Sequence, residues 1–550
     1  MSIRTNKMKA VGVLMKQLTT SMRKFHEKGR DESFDGELKK LWLVLNKIKD
    51  VFVEVKKNEE KLLDTLAEVH DHLRRLDRRK LHQDMHSICK SIKDSALALL
   101  PMLVFDDSNK EEDHRGDKIS HSQHEISSGD FNSIRGYLRS LLIFPPNVVI
   151  RKRNAINLWI WERLIKNTED KTAEESGEDV LANLLKLEVI VRYGSRKDPT
   201  VNKFKIPPQV RSQLKIYFDK DLEHTNPSRL LLELKKVTVD GVDKRNVNLV
   251  DIFNIGASYL NFRPQWVTDQ FKNLEVLHLG RWQDSPLHHI EVGSEEFLRE
   301  MRTLKQLKYL SLRGISRIFE LPSSIAKLES LLILDLKACH NLERLPDDVS
   351  SMKSLTHLIM SECCLLEGMP KGIEKLTNLQ VLKGFLISTS ENTPCRISDL
   401  GNLKKLRRLS INIGREAMMR DNEFESLKNF SALKHLKISW SASHPRYAKF
   451  PIYLPADLRK LHLECFPGKS LRECFQIFKM IPPELHITGG KLEIIHDMGL
   501  LNVKILRLKY LKQLKVNIYN LGAFFVGLKY VEIIQISNHS YFEHFYDLNF

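Results

Sequence analysis

From residue 274 onward one template, Leu-x-x-Leu-x-Leu, recurs along the chain and constrains its fold more than any other feature. Leu274/Leu277/Leu279, Leu307/Leu310/Leu312, Leu331/Leu334/Leu336 and Leu355/Leu358/Met360 carry it in full. It continues in Leu379/Leu382, Leu406/Leu409/Ile411, Leu433/Leu436/Ile438 and Leu458/Leu461/Leu463, with echoes at Val503/Leu506/Leu508 and Leu528/Val531/Ile533. The steps from 307 to 331, 331 to 355 and 355 to 379 are each 24 residues, and 27, 27 and 25 follow. A unit this short, one strand plus a return segment, cannot bury its apolar face alone, so consecutive units stack into one solenoid core. The return segments Leu321-Pro322-Ser323-Ser324-Ile325, Leu345-Pro346-Asp347-Asp348-Val349 and Met369-Pro370-Lys371-Gly372-Ile373 keep the same offset. Each proline ends a turn, and each Ile or Val points back into the core. The 27-residue steps and the gap from 463 to 503 predict a less regular C-terminal third.

This period is that of a leucine-rich repeat. In such a strand the leucines point inward, and alternation sends the third, fifth and seventh positions to the concave face. The candidate protein-binding residues there are Tyr309, Arg313, Lys337, His357, Lys383, Arg408, His435, Lys437, Lys460, His462, Arg507 and Lys509. Basic residues outnumber acids in this strip, which suits an acidic protein surface or intramolecular docking of the acidic stretch 106 to 130. The alternative is a row of solvated strand residues with no ligand.

The N-terminal region has another period. Met8, Val11, Met15, Leu18, Met22 and Phe25 alternate steps of three and four, as do Leu38 to Val55 and Leu62 to Leu76. These are amphipathic helices. Residues 1–104 are expected to form a helical bundle, with a coiled coil as the second arrangement and self-association through these helices as a consequence. Arg4, Lys7, Lys9, Lys16, Arg23 and Lys24 precede the first acid, Glu27, beside the apolar stripe. That is the profile of an interfacial helix, so peripheral membrane contact by residues 1–25 is weighed against burial of the stripe in the bundle. Residues 105–130, rich in charge, His and Ser, are expected to be an acidic disordered linker. A small folded module over 131–225 and the repeat domain over 226–550 complete the expected organisation.

With 42% apolar residues in 550, the chain has enough core for several domains. Its longest apolar run, 96 to 105, is about half the roughly 20 residues of a membrane span, and the first twenty residues lack the apolar core of a secretory signal. Seven cysteines, an odd number with no Cys-x-x-Cys pair, fit reduced thiols. The expected setting is the cytoplasm, with a membrane surface or the nucleus as further settings. The net charge of +17 points to acidic partners.

The module carries a resemblance. Phe144-Pro145, Ile150 with Arg151 and Lys152, and Leu158-Trp159-Ile160 resemble the winged-helix segment of plant coiled-coil NB-ARC leucine-rich-repeat disease-resistance proteins. Trp161-Glu162-Arg163-Leu164 departs from that family's Ala-Glu-Gly-Phe. Read physically, Phe144-Pro145 closes one helix, and Ile156, Trp159, Ile160 and Leu164 share a face of the next. The repeat Leu331 to Pro346 is also similar to that family's. The resemblance implies a multidomain α+β chain: an N-terminal helical bundle or coiled coil, a winged-helix-like module and a C-terminal leucine-rich-repeat solenoid of the α/β horseshoe type. It also implies an immune-receptor-like protein.

The family's nucleotide switch needs a Gly-x-x-x-x-Gly-Lys-Ser/Thr loop to cradle phosphates. Gly468-Lys469-Ser470 has Leu463 where the first Gly belongs and is read as coincidence. Only about 30 residues separate the helical region from the winged-helix match, whereas a nucleotide-binding core with its helical companion needs on the order of 200. Where the family places Met-His-Asp, this chain reads Lys203 to Pro207 without His or Asp, and His496-Asp497 falls in the repeats. The expectation is a relative without the ATP/ADP switch, needing no cofactor.

Other chemistry is thinner. His82, His86 and Cys89 have zinc-compatible spacing but no fourth ligand; Cys363-Cys364 near His357 reads as repeat core and strand edge. No Gly-x-Ser-x-Gly elbow is present, so no catalytic residue and no metal site is assigned and an enzyme is not expected. Arg151, Lys152 and Arg153 precede the expected helix and have no minor-groove arm beside them, so nucleic acid is not the favoured partner. The resulting expectation is a non-catalytic immune-receptor-like protein that binds proteins through its repeats and helical domain. A repeat adaptor outside defence is the alternative, and a winged-helix nucleic-acid binder the third.

Overall fold

The computed structural model describes residues 128–547 apart from short interruptions. The helices expected over 1–104, the basic first helix, the His82/His86/Cys89 set and most of the 105–130 stretch lie outside the described residues. The first unit comprises α1 (Ser128–Leu141), β1 (Ile150–Arg151), α2 (Lys152–Trp161), α3 (Ala173–Lys186), β2 (Val191–Arg192), β3 (Lys203–Lys205) and α4 (Pro208–Leu222). Helix α1 thus begins at Ser128, inside the stretch read as linker.

Helix α1 stops ahead of Phe144-Pro145, and Arg211 from α4 donates to the carbonyls of Leu142 and Phe144 left open there. A capping box between Thr172 and Glu175 starts α3. The three short strands pair antiparallel in the order β1-β3-β2 and form the wing. Leu138, Trp159, Leu184, Phe204 and Phe218 fill the core between helices and wing. Trp159 keeps its indole N–H satisfied on the Tyr137 carbonyl.

Two local expectations change. Helix α2 begins at Lys152, so Lys152 and Arg153 lie in its first turn rather than ahead of it. It also ends at Trp161, because Arg163 turns into the left-handed region at φ 60°. Leu164 therefore leaves the helix face and is 36% exposed.

The repeat region starts with β4 (Arg229–Leu232), β5 (Lys236–Thr238), β6 (Asp251–Asn254), β7 (Tyr259–Asn261), β8 (Val276–His278) and β9 (Glu291–Val292). It continues through β10 (Tyr309–Ser311), β11 (Ile333–Asp335), β12 (His357–Ile359), β13 (Val381–Ile387), β14 (Arg408–Ile413) and β15 (His435–Trp440). The last strands are β16 (Lys460–Phe466), β17 (Glu484–Gly490), β18 (Ile505–Lys509), β19 (Tyr530–Ile536) and β20 (Tyr541–Asp547). Fourteen of the described strands make one sheet, from β4, β6 and β8 through β10 and then in chain order to β20. Its neighbours pair parallel except β19 and β20, which pair antiparallel. Strands β5, β7 and β9 form a second parallel sheet on the returning side.

Register places equal template positions side by side: Leu310 opposite Leu334, Leu334 opposite Leu358, Leu358 opposite Leu382. The inward Leu, Ile and Met residues join one continuous core from Leu232 to Ile533, each buried side chain contributing about 1.5–3 kcal/mol. Ile325, Val349 and Ile373 after the prolines are buried in it, as the return segments require.

Two residues beyond the last inward side chain the backbone turns left-handed in repeat after repeat, at Gly314, Ala338, Glu362, Cys465, Gly489 and Tyr510. Two of these six are glycines, so the pattern is hidden in the sequence. The neighbouring Cys339 and Cys363 thiols donate to the carbonyls of Leu312 and Leu336 one repeat back, tying successive turns together. Cys363 is therefore repeat core, as its position suggested.

The irregular region has two physical causes. At the template position after Leu382 stands Gly384, at φ 85°, where an added Cβ would lie 2.6 Å from the Met360 carbonyl group. The strand bulges there and seats Phe385, fully buried, where the inward Leu would be. The gap between 463 and 503 holds a complete repeat, β17, whose first template position is Pro482 and whose inward pair is Leu485 and Ile487. Proline at the residue that would be the first Leu concealed it.

Candidate functional site: the concave repeat face

The concave face is partly occupied by the module. Phe253, Val276, Tyr309 and Ile333 of the sheet, with Trp282, belong to the same apolar cluster as the module's core. Trp161, the last residue of α2, lies with its ring 3.8 Å from that of Tyr309 and 6.0 Å from those of Phe253 and His278. Phe144 packs on Trp282 at 5.2 Å, and Asn154 donates its amide to the Trp282 carbonyl. Tyr309 is 2% exposed, so of the candidate residues it is a packing anchor beneath the module rather than an accessible contact. Burial also holds His278 far from its ordinary range, at about 4, so the ring stays neutral.

Charge ties the module down further along. Glu174 and Glu175, in the first turn of α3, meet His357 at 2.8 Å and Arg407 at 3.6 Å. Burial would raise the Glu174 carboxyl, but the hydrogen bond and charge of His357, with a backbone hydrogen bond and Arg408, together hold the group at about 2. Arg163 reaches Glu275 of the repeats with both carboxylate oxygens within 2.9 Å. At the far end, Arg507 forks onto Asp198 beside the wing, at 2.7 and 2.9 Å, and bonds Glu532 on the next strand at 2.9 Å. Burial opposes the charge on both Arg507 and Asp198, yet their mutual hydrogen bonds and attraction, joined by Glu532 on the one and Thr200 on the other, hold the guanidinium above and the carboxyl below its ordinary range.

Most remaining cations of the face pair with an acid one strand away. Lys337 meets Glu362 at 3.1 Å, Lys437 meets Glu464 at 3.2 Å, Lys460 meets Glu484 at 2.6 Å and Lys509 meets Glu532 at 2.7 Å. His486 lies 2.8 Å from Glu484, and His462 bonds Thr488 at 3.1 Å. Glu484, His486 and Thr488 belong to the repeat concealed by Pro482, and for that reason sequence reading missed them. Burial works against the Glu484 charge, but His486 and Lys460 hold its carboxyl at about 2. The basic strip is thus largely neutralised along β15 to β19.

Between the covered and the neutralised parts lie Lys383, Arg408 and His435 on β13, β14 and β15. Their side chains make no hydrogen bond or ion pair with any described residue. Burial, then Arg153 and Arg408, hold Lys383 well below its ordinary range. Burial, then Arg408 and Lys460, press His435 down to about 3. Next to them a cleft of about 640 Å³, counting its open mouth, runs between α2 and the sheet and is lined by Arg153, Arg313, Asp335 and Lys337 among others.

The structure therefore brings Arg313, Lys337, Lys383, Arg408 and His435 towards one region, gives His357 and Arg507 to the module, and leaves Lys437, Lys460, His462 and Lys509 in the paired row. Of the basic triplet, Lys152 pairs with Glu178 at 2.9 Å and Arg153 lines the cleft. Among the described residues no group of three or more His, Cys, Asp or Glu is placed to hold a metal ion, and no helix is long and apolar enough to cross a membrane.

A parallel solenoid with a winged-helix module on its concave side defines the class: a leucine-rich-repeat protein carrying a second, α-rich domain. Comparison with known proteins sharpens this. Residues 258–482 match the leucine-rich repeat region model, and residues 143–210 match the disease resistance protein winged helix domain. The two matches together identify leucine-rich repeats and a winged helix of disease-resistance type in this chain. No curated protein matches it. Among solved structures, a leucine-rich-repeat protein of Leptospira interrogans is similar at 17% identity and a TM-score of 0.30, covering 64% of this chain and 98% of its own. The functional domain of InlJ from Listeria monocytogenes is similar at 10% identity and a TM-score of 0.32, over 52% of this chain and 58% of its own.

Proposed function

We propose that this chain is a non-catalytic immune-receptor-like protein of plant type that binds partner proteins through its repeats and works without an ATP/ADP switch. The observation that carries the reading is the winged helix of disease-resistance type seated on the repeat solenoid by matched aromatic and ionic contacts. The sequence leaves about 30 residues for what would be a nucleotide-binding core. Module and solenoid thus act as one recognition body, with the row from Lys437 to Lys509 as its accessible strip. Its paired Lys and Glu residues suit a partner of mixed charge better than the uniformly acidic surface that a count of cations suggests. The full chain is expected to retain neither labelled ATP nor labelled ADP in equilibrium dialysis; stoichiometric retention of either would overturn the missing switch. Expressed in leaf tissue, the full chain is expected to recruit a protein set that the Lys437→Glu/Lys509→Glu chain loses, and an identical set from both would remove the strip from the function.

A further inference from the structure

One position of the repeat, the residue just after the first Leu of the template, sits on the flank where the returning chain enters the sheet. Backbone hydrogen bonds of 2.8–2.9 Å join this position across neighbours: Lys434 donates to Arg407, Arg459 to Lys434, Lys504 to Pro483 and Lys529 to Lys504. The pairing of Lys460 with Glu484 sets Pro483 beside Arg459 and closes the line. Arg407, Lys434, Arg459, Pro483, Lys504 and Lys529 are thus successive rungs of one ladder, five of the six cationic, spanning about 24 Å at about 4.8 Å per strand.

The fold does not require cations there. In the five repeats before, the same hydrogen bonds link Glu275, Lys308, Leu332, Thr356 and Gln380, and Lys308 is paired with Glu275 at 2.9 Å. Lys and Arg make up 87 of the 550 residues, so five in six adjacent rungs is charge gathered on one line. Arg407, Arg459, Lys504 and Lys529 are exposed. Among the described residues two acids reach the ladder: Glu175 of the module lies 3.6 Å from Arg407 and within the field of Arg459, and Asp457 lies 3.6 Å from Lys434. The side chains of Lys504 and Lys529 make no hydrogen bond or ion pair with any described residue. On the concave row beside them Lys437, Lys460 and Lys509 each have an acid within 3.2 Å. A row of cations left open in this way concentrates anions. We infer that this flank docks onto an anionic lipid membrane.

Shape and chemistry select a lipid surface among polyanions. A repeat stack curves towards its concave sheet, and a row on the flank stays level under that curvature, so its rungs meet a plane together. Lipid headgroups move sideways and need no match to the rung spacing. Nucleic acid calls for a groove-reading element or a stacking platform. No rung is aromatic, and helix α3, the second of the α2–α3 pair, has its first turn tied to His357 and Arg407. Attraction by cations alone makes the docking reversible and screened by salt. The flank is separate from the concave strip, so it holds whether or not that strip recruits proteins.

The test is flotation of the full chain with vesicles of phosphatidylcholine containing about one third phosphatidylserine, against vesicles of phosphatidylcholine alone. The chain is expected to partition onto the first and not the second, and to leave them when salt is raised several-fold. Each cation at an anionic surface contributes about fivefold in partitioning, so Lys504→Gln/Lys529→Gln should bind roughly tenfold more weakly or worse, and Arg459→Glu/Lys504→Glu/Lys529→Glu should not bind. The Gln pair, at exposed positions, decides the matter where the Glu chain does not fold. Lys437→Glu/Lys509→Glu, on the concave strip, should bind as the parent does. The inference is overturned if the Gln pair floats like the parent, which assigns the binding to another surface such as residues 1–25. It falls as well if both vesicle types bind alike, or if the concave variant loses as much as the Gln pair. Duplex RNA that binds through Lys504 and Lys529 while the vesicles do not would also overturn it.

Discussion

The two halves of the concave face are built from one template and behave differently. Strands β8, β10, β11 and β12 have three residues each, and β10 to β13 follow one another by the 24-residue step; at the third template position stand Val276, Tyr309 and Ile333, which the module covers. From β13 on the strands have five to seven residues, and over β14 to β17 the same position reads Arg408, His435, Lys460 and Glu484, the last two paired with each other. The Gly384 bulge marks the change. Core positions in a solenoid are confined to Leu-like residues by packing. The third position is unconfined, and its chemistry decides whether a stretch of face holds its own chain or offers itself elsewhere.

The sharpest way to break this contrast is to remove the aromatic anchor. Trp161→Ala deletes a ring packed against Tyr309, Phe253 and His278. It is expected to weaken module docking by about 4 kcal/mol, in the range for large aromatic truncations. Hydrogen exchange checks this: amides of 309–311 and 158–162 should exchange faster while those of β15 to β18 hold. Unchanged exchange would mean that the apolar half does not anchor the module.

At the ionic end, Arg507→Ala strands Asp198 and leaves Glu532, 7% exposed at its side chain, to Lys509 alone. Removing one member of a buried pair leaves an uncompensated charge, so a loss of about 3 kcal/mol is expected in denaturant unfolding. The Arg507→Ala/Asp198→Asn/Glu532→Gln chain should recover most of it. Recovery by Asp198→Asn alone would show that the contact between module and solenoid, rather than the strand pair, dominates.

Acidification probes the open middle. The His435 ring is held at about 3 in the folded chain and titrates near 6.5 unfolded. The unfolded state therefore binds the extra proton first. The stability this neutral ring contributes is present above about pH 6.5 and is lost as pH falls from there towards 3. His435→Gln should reduce the stability lost between pH 7 and pH 5 by about 1–2 kcal/mol, read by urea unfolding at both values. Parallel pH profiles for the two chains would place the ring in contact with solvent.

Legibility followed how local the physics was. Inward leucines repeat at fixed spacing, and so the sheet from β8 through β16 could be read residue by residue. Strand β17 could not, because Pro482 stands in for Leu and its inward pair alone is too short a signal; with it went Glu484, which neutralises Lys460. The alternation of the strands gave the concave residues as a row, and the cover over part of that row was not foreseen. Trp161 on Tyr309 and Asp198 on Arg507 join positions 148 and 309 residues apart, and no pattern in either segment points to the other. Three acids of the module, Glu174, Glu175 and Asp198, meet His357, Arg407 and Arg507 of the repeats, and none of them lies in the acidic stretch 106 to 130.

The smallest effect concerns the end of α2. Where the resembled family carries Gly, this chain has Arg163 at φ 60°, a conformation that costs a non-glycine residue about 1 kcal/mol. Its guanidinium, 61% exposed at the side chain, reaches Glu275, an exposed pair of the kind that contributes about 0.2–1 kcal/mol. The two terms nearly cancel, so Arg163→Gly is expected to leave stability almost unchanged. Arg163→Ala keeps the strained backbone and loses the ion pair, so it should be less stable than Arg163→Gly by about 1 kcal/mol, measured by urea unfolding at fixed ionic strength. Equal stabilities would show that the backbone at 163 relaxes once its side chain is released, and that Glu275 had been holding the turn in place.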